Sequence, residues 1–245
     1  MADLSTVVTS FPADQASLAL VQANTPLVNS YGTVTVTGGQ LNVLCDTTYN
    51  HGGQSALNFT WSGAGFYFKP TPAPKGGAST SQTTTPAIID SSSSDGGSIR
   101  LEWVINTGPA TPTITAYAYS VDGTYTDVST AVSATYSSTT HAWLGWYGDA
   151  TNIYYVTSST GTTWTTFRTV ARTLIPWVAT EADLGFVYST NRVGGSNTTA
   201  LLDNINTGGT APGAAAAGVR GTQPLVNYGL PATQPMSAVR RASSW

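Results

Sequence analysis

Cysteine is all but absent from this chain: Cys45 stands alone among 245 residues. That excludes an intramolecular disulfide framework and a thiolate metal cluster. Histidine is nearly as scarce, with only His51 and His141. Without a cysteine cluster or a His-x-x-x-His spacing, a zinc site lacks ligands. Charge is short as well: 9% of residues are charged, against about a quarter in an average soluble chain. The nine basic residues are scattered from Lys69 to Arg241 with no basic stripe, so a nucleic-acid partner is not expected. No apolar run approaches the ~18 residues that a membrane-spanning helix needs, so membrane insertion is not expected either. Met1 to Gln15 has neither a cationic n-region nor an apolar h-region. The expectation is a protein made in a cytoplasm and not exported by the general route.

Threonine, serine, glycine and alanine fill the space that lysine and glutamate usually take. Net charge keeps free proteins apart, so low charge is a solubility liability that matters less inside a permanent assembly. An exported domain with a hydroxyl-rich surface is the alternative; membership of an assembly is the favoured reading.

Along the chain, period-two alternation dominates from residue 32 onward. Gly32 to Val43 alternates Val34 and Val36 against threonines, turns at Gly38-Gly39 and resumes with Leu41 and Val43, which reads as a hairpin. Ala56 to Phe68 reads as strand interrupted by Gly63 and Gly65. Residues 69–86 are rich in proline, glycine, serine and threonine and read as a loop, because each proline lacks a ladder donor. Strands are expected at Ala87–Asp90, Ser98–Asn106, Thr113–Ser120, Val128–Tyr136, the His141–Thr169 meander, Ile175–Val178 and Leu184–Tyr188. Asp122-Gly123 is a hairpin signal. After residue 25 no apolar period near about 3.6 residues appears, so the chain reads as all-β, a sandwich or a barrel. Three parts are expected: an N-terminal arm over 1–29, a β-sandwich over 30–207, and a linker with an extended C-terminal tail over 208–245.

The stretch HAWLGWYGDATNIYYVTSSTGTTWTT, His141 to Thr166, is the most specific part of the sequence. His141, Trp143, Leu144, Ile153, Tyr154, Thr157, Ser158, Gly161, Thr163 and Trp164, with the late Asp203-Asn204-Ile205, resemble the concanavalin A-like lectin/glucanase domain. More closely, they resemble the form of that domain in minor tail proteins of phages that infect actinobacteria. Gly32-Thr33-Val34 and Gly38-Gly39-Gln40-Leu41 resemble its opening hairpin, so the similarity covers roughly residues 30–207. The resemblance implies a concanavalin A-like jelly-roll sandwich in a tailed-phage virion, made in the host cytoplasm and held by its terminal arms. Other virion proteins and further copies of the chain are the implied partners. Where the phage family often has arginine, this sequence has Gly145 and Tyr147. Alternation puts Leu144 and Trp146 on one face, and Trp143, Gly145 and Tyr147 on the other. With Tyr154 on the next strand, Trp143 and Tyr147 are candidate stacking residues for a glycan; burial by a second sheet or a neighbouring subunit is the competing reading.

Catalytic residues are not identified. Glycoside hydrolysis needs two carboxyl groups at a defined separation, and glucanases of this fold carry them as Glu-x-Asp-x-x-Glu on one strand. Glu102 sits in RLEWVI with no such acidic partner, and Glu181 with Asp183 reads as a solvated loop. Gly-x-Ser-x-Gly is missing. Asp46, Asn50 and Asp203 offer oxygens by residue type alone, so no metal and no cofactor is expected. At the C-terminus, Arg240, Arg241 and Trp245 form a candidate assembly contact, since Trp and Arg dominate interface hot spots. The expectation is therefore a non-enzymatic structural protein of a virion, a minor tail or capsid-decorating protein; the alternative is an adhesin that binds host-envelope glycans through the aromatic face. A hydrolase ranks third.

Overall fold

A computed structural model describes residues 2–11, 13–17, 21, 25–27, 29–47, 51–90, 99–121, 125–180 and 183–213. The described residues form sixteen strands in two sheets. The larger sheet contains, in spatial order, Ala2–Asp3 (β1), Phe59–Thr60 (β6), Leu184–Val193 (β15), Ser81–Asp90 (β8), Arg100–Asn106 (β9), Thr113–Tyr119 (β10) and Val132–Thr135 (β11). Asn29–Tyr31 (β2) and His51–Gln54 (β5) attach beside β15. The smaller sheet runs Thr165–Ala171 (β14), Asn152–Ser158 (β13), Trp143–Gly148 (β12), Phe66–Thr71 (β7), Thr198–Ile205 (β16), Gln40–Cys45 (β4) and Val34–Thr37 (β3). Apart from the short parallel pair β1–β6, the ladders are antiparallel. This is an all-β jelly-roll sandwich.

Alternation decides which side chains enter the core. In β4, Leu41, Val43 and Cys45 are buried while Gln40, Asn42 and Leu44 are half-buried. The β3–β4 turn uses Gly38 and Gly39 at φ +60° and +76°, a conformation that glycine adopts without steric cost. Between the sheets, Trp103 of β9 meets Trp146 of β12 with ring centroids 6.5 Å apart. Phe66 of β7 meets Phe186 of β15 at 5.0 Å. The first residues share this core: Leu4, Val7 and Phe11 are buried in it, and Thr9 bridges to Ile205. The segment read as an arm thus supplies interior side chains.

Two expectations need correction. Residues 69–86 are not a loop throughout, because β8 begins at Ser81 and lies between β15 and β9. Pro86 is accommodated where the β8–β9 ladder is interrupted: the register pairs Thr84 with Ile105 and resumes with Ala87 and Glu102. The missing N–H therefore breaks little that exists. Ile175–Val178 is not a strand either; it leads into one helical turn, Trp177–Thr180. Pro176 precedes that turn, where its fixed φ suits a helix start, and Trp177 Nε1 donates to Tyr119 O at 3.2 Å. The Asp122-Gly123 signal lies outside the described residues.

Candidate functional site

The outer face of the larger sheet is set by alternation in β8, β9, β10 and β15. Leu101, Trp103 and Ile105 turn into the core, so Arg100, Glu102, Val104 and Asn106 turn out. Glu102 sits opposite Ala87 on one side and Tyr117 on the other. It is 4% exposed, which is unusual for a carboxylate. Arg100 Nε lies 2.8 Å from Glu102 Oε2, and the Tyr119 hydroxyl bonds the same carboxyl. Tyr117 and Tyr119 stack with centroids 5.7 Å apart. The Arg100 guanidinium packs over Tyr119 and Tyr125, at 5.6 and 5.0 Å from the ring centroids.

Burial holds the Glu102 carboxyl above the usual carboxylate range; the Arg100 guanidinium and the Tyr119 hydroxyl pull the other way, and Asp127 adds to the rise. The Tyr119 hydroxyl is itself pushed up by burial and by Glu102. A carboxyl group whose proton affinity is raised in this way is better suited to donate a proton than an ordinary carboxylate. The same shift has a consequence for stability. The folded state holds a proton above the ordinary value of 4.5, where the unfolded chain has released it. Glu102 therefore contributes stability that is full below that value and is lost as pH rises through the folded one. The expected result is that Glu102→Gln flattens the fall in Tm as pH rises above about 4.5; parallel Tm curves for the two proteins would remove the raised pKa.

On the outer face of the smaller sheet, the structure brings Tyr147 and Tyr154 together but not Trp143. Tyr147 and Tyr154 pair across β12–β13 and stack at 4.6 Å with planes 16° apart. Trp143 is 6% exposed, packed against Tyr67 with Lys69 Nζ 5.9 Å from its ring centroid. Gly161 closes over it at φ +77°; a Cβ there would stand 2.7 Å from the indole. Gly161→Ala is expected to cost about 1–3 kcal/mol through backbone strain and this clash. Urea denaturation checks it, and an unchanged midpoint would show the turn to be loose.

Asp149 and Trp164 join this face without having been singled out for it. Asp149 Oδ2 accepts from Tyr154 Oη at 2.7 Å, and Oδ1 accepts from Thr151 N and Asn152 N at 2.7 and 2.8 Å. The Tyr154 bond, then these backbone bonds, hold its carboxyl well below the usual range. The signal in the sequence was the Gly148-Asp149 turn, which marks an Asx cap but not what stands beside it.

Other residues considered for chemistry are dispersed. Asp46 pairs with His51 Nε2 at 2.9 Å, while Asp203 pairs with Lys69 Nζ at 2.8 Å. His141 Nδ1 accepts from Ser137 N at 3.0 Å, and burial lowers its pKa. Among the described residues no group of three or more His, Cys, Asp or Glu could hold a metal ion. Asn50, Glu181, Arg240, Arg241 and Trp245 lie outside the described residues.

No protein-family model matches the sequence, and neither does any curated protein sequence. Solved structures do share the fold. The catalytic domain of an endo-1,3-β-glucanase (laminarinase) from Thermotoga petrophila is 11% identical, with a TM-score of 0.50 over 83% of this chain and 94% of its own. A non-specific endo-β-1,3(4)-glucanase from family GH16 is 8% identical, with a TM-score of 0.55 over 82% of this chain and 88% of its own. An endo-acting O-glycanase of the human gut microbiota, described in the context of mucin breakdown, is 10% identical, with a TM-score of 0.52 over 82% and 97%.

These matches correct the expectation of a non-enzymatic structural protein: the domains that share this architecture nearly end to end are ones that cleave glycans. The expectation rests on a missing Glu-x-Asp-x-x-Glu run and on low charge, and neither bears on which known domains share the fold. Low charge, read as a sign of permanent assembly, describes surface composition and not a site. In fold the chain is a concanavalin A-like jelly roll similar to the glucanase domains of family GH16.

Proposed function

We infer that this protein acts on a polysaccharide, held against the outer face of the larger sheet and cleaved with Glu102 as the proton donor. The observation that carries this reading is one buried carboxyl with a raised pKa, on an inner strand of that sheet, framed by Tyr117, Tyr119 and the Arg100 guanidinium. Aromatic rings suit the C–H faces of pyranose rings, and arginine orients hydroxyls through several donors. In the reaction, Glu102 gives its proton to the glycosidic oxygen as the bond to the anomeric carbon breaks. Water adds to that carbon, and its released proton restores the acid. Asp127, the carboxylate nearest in electrostatic effect, is engaged by Arg168 at the sheet edge.

The fold likeness to enzymes acting on β-1,3- and β-1,3(4)-glucans supports such glucans as the first substrates to try. The resemblance of residues 141–165 to actinobacteriophage minor tail domains supports a virion as the setting, with polysaccharide of the host envelope as the natural target. The test is release of reducing ends from laminarin, mixed-linkage β-glucan and host envelope polysaccharide. Wild type is expected to release them and Glu102→Gln to fall by at least about a hundredfold, the range of a lost general acid. Release that survives Glu102→Gln, or no release from any of the three, overturns the assignment.

A further inference from the structure

The smaller sheet carries a second, separate surface. Tyr147 stands as a wall between two grooves. One, about 540 Å³, is lined by Gly63, Gly65, Gly148, Asp149 and Tyr154; the other, about 400 Å³, by Val156, Thr162, Trp164 and Thr166. Both grooves include Tyr147, Ala211 and Gly213, so they lie side by side as a trough that Tyr147 divides. Its rim is fastened by backbone: Thr210 N donates to Gly161 O at 2.8 Å, and Trp164 Nε1 donates to Thr210 O at 2.7 Å. A Cβ on Gly213 would come within 2.8 Å of the Tyr147 ring, and one on Gly65 within 2.4 Å of Pro212 O. The trough is therefore preformed rather than made by closure.

Its chemistry is specific. Tyr147 and Tyr154 are half-buried and stacked on each other, with Gly213 packed against the Tyr147 ring, so what they offer at the middle is the ring surface that this packing leaves uncovered. Asp149 is ionised, fully exposed, and its Oδ2 carries a single bond, from Tyr154, leaving acceptor capacity for hydroxyl groups. Arg172 Nη2 lies beside Gly63 and Gly148, adding a donor at the same end. The Cβ positions of Gly63 and Gly148 are filled by the Arg172 guanidinium and that of Gly65 by Pro212, so these glycines let the groove's own walls pack closely. The geometry points to a neutral β-glucan chain lying in this trough, its pyranose faces on the tyrosines and its hydroxyls on Asp149. The site holds polymer and does not cut it; it rests on the reading that the protein acts on polysaccharide, and its tyrosines share no residue with the Glu102 face.

The test uses the full chain and two probes, retention by insoluble β-1,3-glucan and affinity electrophoresis in laminarin. Wild type, Glu102→Gln, Tyr147→Ala/Tyr154→Ala and Asp149→Asn are compared, with circular dichroism to confirm folding. The double tyrosine variant is expected to lose at least about tenfold in retention, and Asp149→Asn several-fold, while Glu102→Gln stays bound. Wild-type retention in a folded double variant overturns the site, as does no retention of wild type by either glucan. Retention that depends on the tyrosines, without any reducing-end release, keeps the site and removes the hydrolase. Release of reducing ends with tyrosine-independent retention does the reverse.

Discussion

Trp146→Ala is expected to cost about 3–5 kcal/mol, the range for removing a large aromatic from a packed interior. Trp146 is fully buried, and its ring lies 5.4 Å from Phe68, 6.1 Å from Phe66, 6.0 Å from Tyr155 and 6.5 Å from Trp103. The first three belong to its own sheet and Trp103 to the other, so the indole joins the two layers. Alanine leaves a void that neighbours of this size, held on two hydrogen-bonded sheets, cannot close. Since domains are stable by only about 5–15 kcal/mol, the loss is a large share of the total. Trp146→Phe keeps most of the volume and is expected to lose clearly less. Urea denaturation followed by far-UV circular dichroism measures both; a loss below about 1 kcal/mol for alanine would contradict this packing.

Arg168→Met is the second large effect, again about 3–5 kcal/mol. Arg168 is 3% exposed and reaches from β14 to the edge of the larger sheet. Nη1 donates to Ala116 O at 2.7 Å and to Asp127 Oδ2 at 2.8 Å. Nη2 donates to Asp127 Oδ1 and to Ser129 Oγ. Removing the guanidinium alone leaves the part-buried Asp127 carboxylate without its counter-ion, and that residual charge is the main cost. The double variant Arg168→Met/Asp127→Leu removes both charges and is expected to recover part of the loss. Recovery is incomplete because Asp127 also accepts from Ala118 N and Ser129 N, at 2.9 Å each, and leucine leaves those donors unmet. Simple additivity of the single variants, measured in the same denaturation series, would show the two residues to be uncoupled.

Several elements can be read directly from residue order. The Gly32–Val43 hairpin is one, since β-branched alternation and a Gly-Gly turn leave few other solutions. The split of β12, with Leu144 and Trp146 inward and Trp143 and Tyr147 outward, follows from period two alone. Pro86 shows the limit: a proline forbids one donor, and whether that donor was needed depends on the neighbouring strand. Trp143 shows another, because an outward residue on a sheet is exposed only if nothing covers it, and here Gly161 and Tyr67 do.

The two candidate sites divide in the same way. Sequence by itself determined the all-β class, the two-faced strands and the presence of aromatics on β10, β12 and β13, because side-chain alternation is a local property of the backbone. Tertiary structure alone decided that Tyr119 meets Glu102, that Asp149 stands beside the Tyr147–Tyr154 pair, and that residues 210–213 wall a trough against Trp164. The first and last of those contacts join positions distant in the chain, the Asp149 contact spans the β12–β13 turn, and all three depend on how the strands are registered in their sheets. A carboxyl's proton affinity follows from the same assembly, since it depends on how much water the neighbouring strands exclude.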